Sequence, residues 1–272
     1  MSNLEVKLKD TSHNMDSHES LDLQGVNIPP ELIANQHERP RSLVDLIRLG
    51  TVDLELAAWL MSHVSKGASF IVGSGPGGIG KTTTMRALLG FAPGNLPFVI
   101  ALPEEISRIS NVPSCVISHE VSEHRVPTYL WGQDLRDFFA LPKQGHMLVS
   151  NMHANHIDEV HSQIVATNDV PEDQFRAVNL FVFIWNEGGD PSVRRIKDSS
   201  SQRFISEVFY SDGTARHESI FTPKRGLSAH APRDIAYENL CRTFLEEGLN
   251  GLSPNIQEVR NRFLEWENNI VT

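Results

Sequence analysis

Residues 75 to 82 read Gly75-Pro76-Gly77-Gly78-Ile79-Gly80-Lys81-Thr82. This stretch matches every position of the phosphate-loop pattern, in which a glycine, four residues, a glycine, a lysine and a serine or threonine follow one another. An apolar run at residues 68–72 precedes it and predicts a buried strand, and the apolar side chains of residues 82–89 recur at helical spacing. Because a phosphate loop requires a strand before it and a helix after it, the stretch predicts an α/β fold with a nucleotide-binding turn.

The composition of the loop suits the binding of phosphate groups. Glycines let the backbone turn tightly, so that several N–H groups point at phosphate oxygens beside the positive end of the following helix. Lys81 is expected to contact the β- and γ-phosphates, and the Thr82 hydroxyl is expected to bind Mg²⁺. The flanking strand and helix disfavour the alternative of a glycine-rich turn with a chance lysine. The predicted nucleotide-binding residues are Gly75, Pro76, Gly77, Gly78, Ile79, Gly80, Lys81, Thr82 and Thr83.

Further apolar runs predict the remaining strands of a sheet. They lie at residues 98–102, 115–117, 127–131, 147–150 and 180–184. Helical patterns separate the earlier runs, which indicates a mostly parallel sheet. A late hairpin, in which Arg194–Ile196 would pair with Phe204–Val208, predicts antiparallel strands at one edge. From Pro232 onward the apolar residues follow a helical period, which predicts a small C-terminal helical segment.

The chain divides into three predicted parts. Residues 1–41 are mostly polar, lack apolar periodicity and contain Pro29-Pro30, which predicts a flexible N-terminal tail and linker. Residues 42–225 are predicted to form the α/β domain, which begins with a helix capped by Ser42 and a second helix at about residues 53–65. Residues 226–272 are predicted to form the C-terminal helical segment.

The composition of the chain limits the kinds of partner and the cellular compartment that we expect. The formal net charge of −10 disfavours a broad basic surface, so no nucleic-acid partner is expected. Two cysteines, Cys115 and Cys241, give neither a disulfide framework nor a zinc-type pair. The N-terminus lacks a basic region followed by an apolar run, and no stretch reaches the roughly 18 apolar residues of a membrane span. We therefore expect a cytoplasmic protein.

Four segments of the chain match, in the same order, motifs of one known family. They are the predicted lead-in helices at 42–57, the phosphate loop continuing into Ala87-Leu88-Leu89, residues 145–155 with the histidine box Asn151-Met152-His153-Ala154-Asn155, and residues 193–208, which end in Glu207-Val208. With these segments, residues 42–222 resemble the type II/type IV secretion ATPases, most closely the traffic and pilus-assembly branch. The histidine box is the most specific of the four, and Asn151 stands where the family commonly has threonine.

The resemblance implies a RecA-like phosphate-loop core that binds ATP and Mg²⁺, hydrolyses ATP and works as a homo-oligomeric, hexameric ring. It implies partners among the membrane proteins of a secretion or pilus-assembly system, and hence a place at the inner face of the membrane. His153 would lie near the γ-phosphate. The chain has no Asn-Lys-x-Asp segment, which a GTPase would usually carry. Because 41 residues precede Ser42, we expect a minimal core, or a partner in place of the family's N-terminal domain.

Two elements of the family pattern are altered. The segment that normally carries acids after the second strand ends in Glu104-Glu105, and either residue would stand in for them. The Walker B strand normally ends in Gly-Glu, whereas residues 127–131 are followed by Gly132-Gln133-Asp134. A glutamine neither accepts a proton from water nor places a charge near Mg²⁺, so Asp134 becomes the candidate acid on the metal side. The predicted catalytic residues are Lys81, Glu104, Glu105, Asp134 and His153, and the predicted metal ligands are Thr82 and Asp134.

These alterations leave two functions open. The first is a motor ATPase of a secretion or pilus-like system. The second is a nucleotide-binding regulatory or assembly subunit with weak or no hydrolysis, because Gln133 replaces the Walker B glutamate.

The pair Glu104-Glu105 is also consistent with a solvated helix start, where acids are favoured.

Other polar residues have two interpretations each. A metal site built from His146, His153, His156 and His161 is disfavoured, because these residues straddle a strand end and a helix with no cysteine pair. Arg194-Arg195 is read as exposed hairpin charge, with a contact to a neighbouring subunit's phosphate as the alternative. Trp131 is read as a core residue rather than a platform for a base. Arg108 and Arg125 are candidate phosphate partners without further context.

Overall fold

A mixed β-sheet with helices on both faces is the central feature of the fold. The computed structural model describes residues 40–75, 77–188, 201–251 and 255–271. Residues 1–39, Pro76 and the first arm of the predicted hairpin, Arg194–Ile196, lie outside this part of the chain.

Ten strands of the described residues form one sheet. They are β1 (Phe70–Gly73), β2 (Phe98–Ile100), β3 (Cys115–Ile117), β4 (Glu120–Val121), β5 (Tyr129–Leu130), β6 (Met147–Met152), β7 (Leu180–Asn186), β8 (Arg203–Tyr210), β9 (Glu218–Thr222) and β10 (Gly226–Leu227). The order is β10-β9-β8-β7-β1-β6-β3-β2, and the short pair β4 and β5 lies off this path beside β6. The strands from β7 to β2 along this order are parallel, whereas β7, β8, β9 and β10 are antiparallel neighbours.

Eight α-helices of the described residues surround the sheet. They are α1 (Leu43–Arg48), α2 (Leu54–Val64), α3 (Lys81–Leu89), α4 (Gln133–Ala140), α5 (Ile157–His161), α6 (Glu172–Arg176), α7 (Ile235–Asn250) and α8 (Ile256–Val271). Ser42 caps α1, as the sequence predicts, and does so in a reciprocal capping box with Asp45. Asp53 caps α2. None of these helices is long and apolar enough to cross a membrane.

Two hydrophobic clusters fill the space on either side of the sheet. Successive side chains of a strand point to opposite faces, and β1 shows this directly, because Phe70 and Val72 join one cluster while Ile71 joins the other. The first cluster includes side chains of α1, α2, α3, α7 and α8, and the second includes those of α4, α5 and α6. The predicted α/β class, with a mostly parallel sheet, antiparallel edge strands and C-terminal helices, is confirmed.

The structure differs from the predicted strands at two places. The run at residues 127–131 forms only the two-residue strand β5, which pairs with β4 instead of joining the main order of the sheet. Residues 204–208 lie within β8, whose neighbours on its two sides are β7 and β9. β9 and β10 were not predicted. Tertiary packing between distant segments determines which strands pair, so the apolar runs alone do not predict the strand order.

Candidate functional site

Helix α3 begins at the phosphate loop, and Lys81 is its first residue. Gly80 precedes it with a φ of +108°, a conformation that a residue with a β-carbon adopts only under strain. β1 lies between two parallel neighbours and ends at Gly73, just before the loop. The predicted order of strand, glycine-rich loop and helix is therefore present, and it leaves the N–H groups of the first helical turn available to an anion.

His153, the first residue after β6, lies against both the loop and Lys81. Its Nδ1 is 3.2 Å from Lys81 Nζ and 2.9 Å from the carbonyl oxygen of Gly75. A protonated Nδ1 donates to the Gly75 oxygen, whereas an unprotonated Nδ1 accepts a hydrogen bond from the Lys81 ammonium. Lys81 is 7% exposed, and burial lowers its pKa because the charged form loses water. The structure thus brings two of the predicted catalytic residues, Lys81 and His153, together at the loop.

Glu120, which the sequence motifs did not single out, is the third ionisable residue at this point. It is 8% exposed, and its Oε1 lies 2.8 Å from Nε2 of His153. Burial acts to raise the pKa of Glu120, but the hydrogen bond from His153 and the charge of Lys81 outweigh it, so the pKa is lowered. The same hydrogen bond raises the pKa of His153. These shifts favour a carboxylate and an imidazolium side by side next to a buried lysine.

A signal for Glu120 is present in the sequence. The residue follows the apolar run Cys115–Ile117 closely, and the carboxyl ends of parallel strands are where α/β sheets place their ligands. β3, which this run forms, lies next to β6 in the sheet, and β6 lies next to β1. That order brings the end of β3 towards the loop. The sequence motifs directed attention to Gln133 instead, because the spacing of the Walker B pattern fits there.

Asn155, the last residue of the histidine box, holds the first glycine of the loop. Its Oδ1 accepts a hydrogen bond of 2.7 Å from the Gly75 N–H. A β-carbon at Gly75 would lie 2.4 to 2.8 Å from the amide atoms of Asn155, so this close approach requires glycine. The histidine box therefore fixes Gly75 at both polar groups, with His153 at the carbonyl oxygen and Asn155 at the N–H.

Replacing Asn155 with alanine is expected to weaken the binding of an ATP analogue about two- to tenfold. The change removes one hydrogen bond, worth about 0.5–1.5 kcal/mol, that holds the loop in its binding shape. Titration with a fluorescent ATP analogue measures the affinity, and Asn239→Ala on the exposed side of α7 is the matched control. An Asn155→Ala variant that binds as tightly as the control would show that this hydrogen bond does not shape the loop.

Thr82 and Asn151 form a polar pair at the start of α3. Nδ2 of Asn151 lies 3.4 Å from Thr82 Oγ1 and donates to the carbonyl oxygen of His119 at 3.2 Å. Asn151 is 1% exposed, and its Oδ1 has no hydrogen-bond partner in the described part of the chain. The Thr82 hydroxyl is an oxygen donor of the kind that suits Mg²⁺. Asn151 faces it with its NH₂ group, which cannot bind a cation, so Thr82 is the residue of this pair that fits a magnesium ion.

The other predicted acids are Glu104 and Glu105, which follow β2, and Asp134, which lies at the start of α4. Oδ1 of Asp134 accepts a hydrogen bond of 2.8 Å from the backbone N–H of Glu104, whose φ is +65°. Glu104 and Glu105 are exposed. The exposed side chain of Gln133 donates to Asp137 on the same helix. These contacts join Asp134 to the segment after β2, whereas the carboxylate beside His153 is that of Glu120.

The remaining candidates fall at separate places. His146 is buried and accepts from the Ser114 N–H, and His161 lies 2.7 Å from Glu172. Among the described residues, no group of three or more His, Cys, Asp and Glu side chains could hold a metal ion. Trp131 is half-buried against the second hydrophobic cluster, as predicted. Arg108 and Arg125 are exposed, and Arg194-Arg195 lies outside the described residues.

Comparison with solved structures places this chain near a distantly similar protein. The chain is similar to the VirB11 ATPase from the Brucella suis type IV secretion system, crystallised with sulphate, with 20% sequence identity and a TM-score of 0.39. The match covers 62% of this chain and 54% of that chain, so it spans about half the length of the VirB11 structure. No family model matches the chain, and no curated protein matches it. A likeness this weak carries no argument about activity, which has to be drawn from the site itself.

Proposed function

We propose that this chain binds ATP with Mg²⁺ at the phosphate loop and hydrolyses it. The observation that carries the proposal is the cluster of Lys81, His153 and Glu120 at the start of α3, directly beside a complete phosphate-loop sequence. A buried lysine at a helix N-terminus supplies positive charge where phosphate oxygens would lie. A carboxylate beside it supplies the group that hydrolysis requires and that nucleotide binding alone does not require.

Each residue has a distinct part in this proposal. The loop N–H groups and Lys81 bind the β- and γ-phosphates, and the loop is kept in shape by His153 and Asn155 at Gly75. Thr82 would hold Mg²⁺, which when bound would neutralise charge on the phosphate oxygens. His153 would face the γ-phosphate from the end of β6.

The wider role that we propose is that of a motor subunit in a secretion or pilus-assembly system. This role rests on the four-segment sequence resemblance, and with it come a hexameric ring of identical chains and membrane proteins of that system as partners. The second candidate is a regulatory or assembly subunit that binds nucleotide and hydrolyses little of it. The specific observation in its favour is Gln133 at the position where the family's Walker B pattern has glutamate.

Phosphate release by the purified protein with Mg-ATP tests the proposal and separates the two candidates. We expect release by the wild-type protein to exceed that of Lys81→Ala, which should also bind a fluorescent ATP analogue at least about tenfold more weakly, because it lacks a charge-assisted contact to phosphate. Lys143→Ala is the matched control, since Lys143 is 61% exposed on the surface and pairs with Asp173.

The outcomes distinguish binding from turnover. ATP binding without phosphate release above the Lys81→Ala level would contradict the motor role and support the regulatory subunit. Binding that is equal in wild type and Lys81→Ala would remove the nucleotide site altogether. Competition by unlabelled ATP and GTP shows which base is preferred, and we expect ATP.

A further inference from the structure

We propose that Glu120, rather than Glu104, Glu105 or Asp134, is the carboxylate that positions the water attacking the γ-phosphate. The inference rests on the proposed hydrolysis of ATP and names the acid that performs it. Glu120 would take the part of the Walker B glutamate. Gln133, which stands at that position of the sequence pattern, is exposed on α4 and donates a hydrogen bond to Asp137.

The register of the strands places Glu120 at the base of the loop. Val121 pairs with Met152 of β6, and Met152 pairs with Gly73 of β1. Glu120, one residue before Val121, therefore lies within one residue of the level where β1 ends and the phosphate loop begins. This placement follows from backbone pairing and is independent of any side-chain contact.

The side-chain contacts point the same way. Oε1 of Glu120 lies 2.8 Å from Nε2 of His153, and Nδ1 on the other side of that ring lies 3.2 Å from Lys81 Nζ. Glu120 is thus one imidazole ring away from the lysine that would contact the γ-phosphate. A water molecule in contact with both Glu120 and the γ-phosphate would lie in the space that this ring borders.

Charge and burial suit the role. A carboxylate that is to accept a hydrogen bond from water must stay ionised while largely shielded from solvent, and Glu120 is 8% exposed and lies 2.8 Å from His153, with Lys81 beyond the imidazole ring. Glu104 and Glu105 are exposed, and Asp134 is engaged with the Glu104 N–H. Among the described residues, those three acids have neither the burial of Glu120 nor its contact with His153.

The reaction balances as follows for this residue. The oxygen of the water bonds to the γ-phosphorus while the bond from that phosphorus to the bridging oxygen breaks, and ADP leaves with the electron pair of that bond. The proton of the water passes to Glu120 and then to solvent, so that ATP and water give ADP, phosphate and a proton. His153, held between Glu120 and Gly75, would keep the Glu120 carboxylate in place during this step.

The test is Glu120→Gln, which keeps the shape of the side chain and removes its charge. At saturating Mg-ATP we expect phosphate release to fall about 10²–10⁴-fold, the usual loss for a positioned general base. Affinity for the fluorescent ATP analogue should stay within a few-fold of wild type. Glu123→Gln, three residues along and exposed, is the matched control and should release phosphate as the wild type does.

Two further measurements keep the outcome decisive. Glu120→Asp retains the charge, so it covers the case in which Glu120→Gln fails to fold; we expect Glu120→Asp to keep ATP affinity and lose part of its turnover. Glu105→Gln and Asp134→Asn are assayed in parallel. The inference is overturned if Glu120→Gln stays within tenfold of wild-type turnover, or if Glu120→Asp is unchanged while Glu105→Gln or Asp134→Asn is inactive. Absence of wild-type turnover is a different result, because it removes the proposed hydrolysis itself.

Discussion

Trp59→Ala is expected to lower the free energy of unfolding by about 3–5 kcal/mol, a large part of the roughly 5–15 kcal/mol typical of a folded domain. Trp59 lies on α2, is fully buried, and belongs to the hydrophobic cluster between the helices and the sheet. Its ring packs 3.9 Å from the ring of His63 and meets Tyr210 of β8 edge-on at 6.0 Å. Truncation would remove these contacts and leave a cavity that rigid neighbours fill only in part.

The Trp59 side chain also makes a polar contact with a distant part of the chain. Its Nε1 donates a hydrogen bond of 2.8 Å to the carbonyl oxygen of Pro232. Trp59→Phe keeps an aromatic ring and loses this donor, so we expect it to cost less than Trp59→Ala. Urea denaturation followed by circular dichroism measures both variants, and Leu49→Ala, at a residue 48% exposed, should change stability by less than about 0.5 kcal/mol. Equal effects for Trp59→Ala and Leu49→Ala would contradict the packing described for α2.

The strands that the sequence predicted are those whose signal is local. β1, β3, β6 and β7 are short, continuous apolar runs, because a central parallel strand is buried on both faces, and each was predicted close to its observed place. The start of α1 was predicted from a local signal too, since Ser42 is a capping residue whose effect lies within one turn. α2 was predicted from the helical spacing of its apolar residues.

The features that the sequence did not predict depend on pairing between distant segments. The five residues of β9 are only partly buried and give no continuous apolar run, so their strand state follows from the presence of β8 as a partner. Glu120 was missed for a related reason. Glu120 lies near the phosphate loop because β3 pairs with β6, and the spacing of residues in the sequence does not predict that pairing. The Walker B pattern, read by spacing alone, led to Gln133.

The histidine box shows the opposite case. His153 and Asn155 were singled out by their motif, and the structure brings both to Gly75, 78 and 80 positions away in the chain. The motif is informative because its residues end a strand, form the loop after it and contact the phosphate loop, so few residue types suit each position.

Phe263→Ala is expected to destabilise the protein by about 3–5 kcal/mol and to do so in one cooperative transition. Phe263 lies on α8 and is fully buried. Its ring centroid is 5.3 Å from that of Phe91, which follows the phosphate-loop helix α3, and 5.8 Å from that of Trp266. Such edge-on and tilted aromatic contacts add to the burial of the ring itself.

A polar contact joins the same two elements. Arg260, one turn before Phe263 on α8, is 3% exposed and donates to the carbonyl oxygens of Gly90 and Ala92 at the end of α3. Gly90 is the C-cap residue of α3 and Ala92 lies just beyond it, where the helix supplies no donors for these carbonyl groups. α8 therefore supports the end of α3 opposite to Lys81, and loss of this support should reach the loop through the helix.

Chemical denaturation of Phe263→Ala, with and without a saturating ATP analogue, tests this connection. Ile270→Ala, at an exposed position on the same helix, is the matched control and should unfold like the wild type. If residues 226–272 folded as a separate unit, Phe263→Ala would unfold in two steps, and the analogue would protect only the second. Because α3, α7 and α8 share one hydrophobic cluster, we expect a single step whose midpoint the analogue raises in wild type and variant alike.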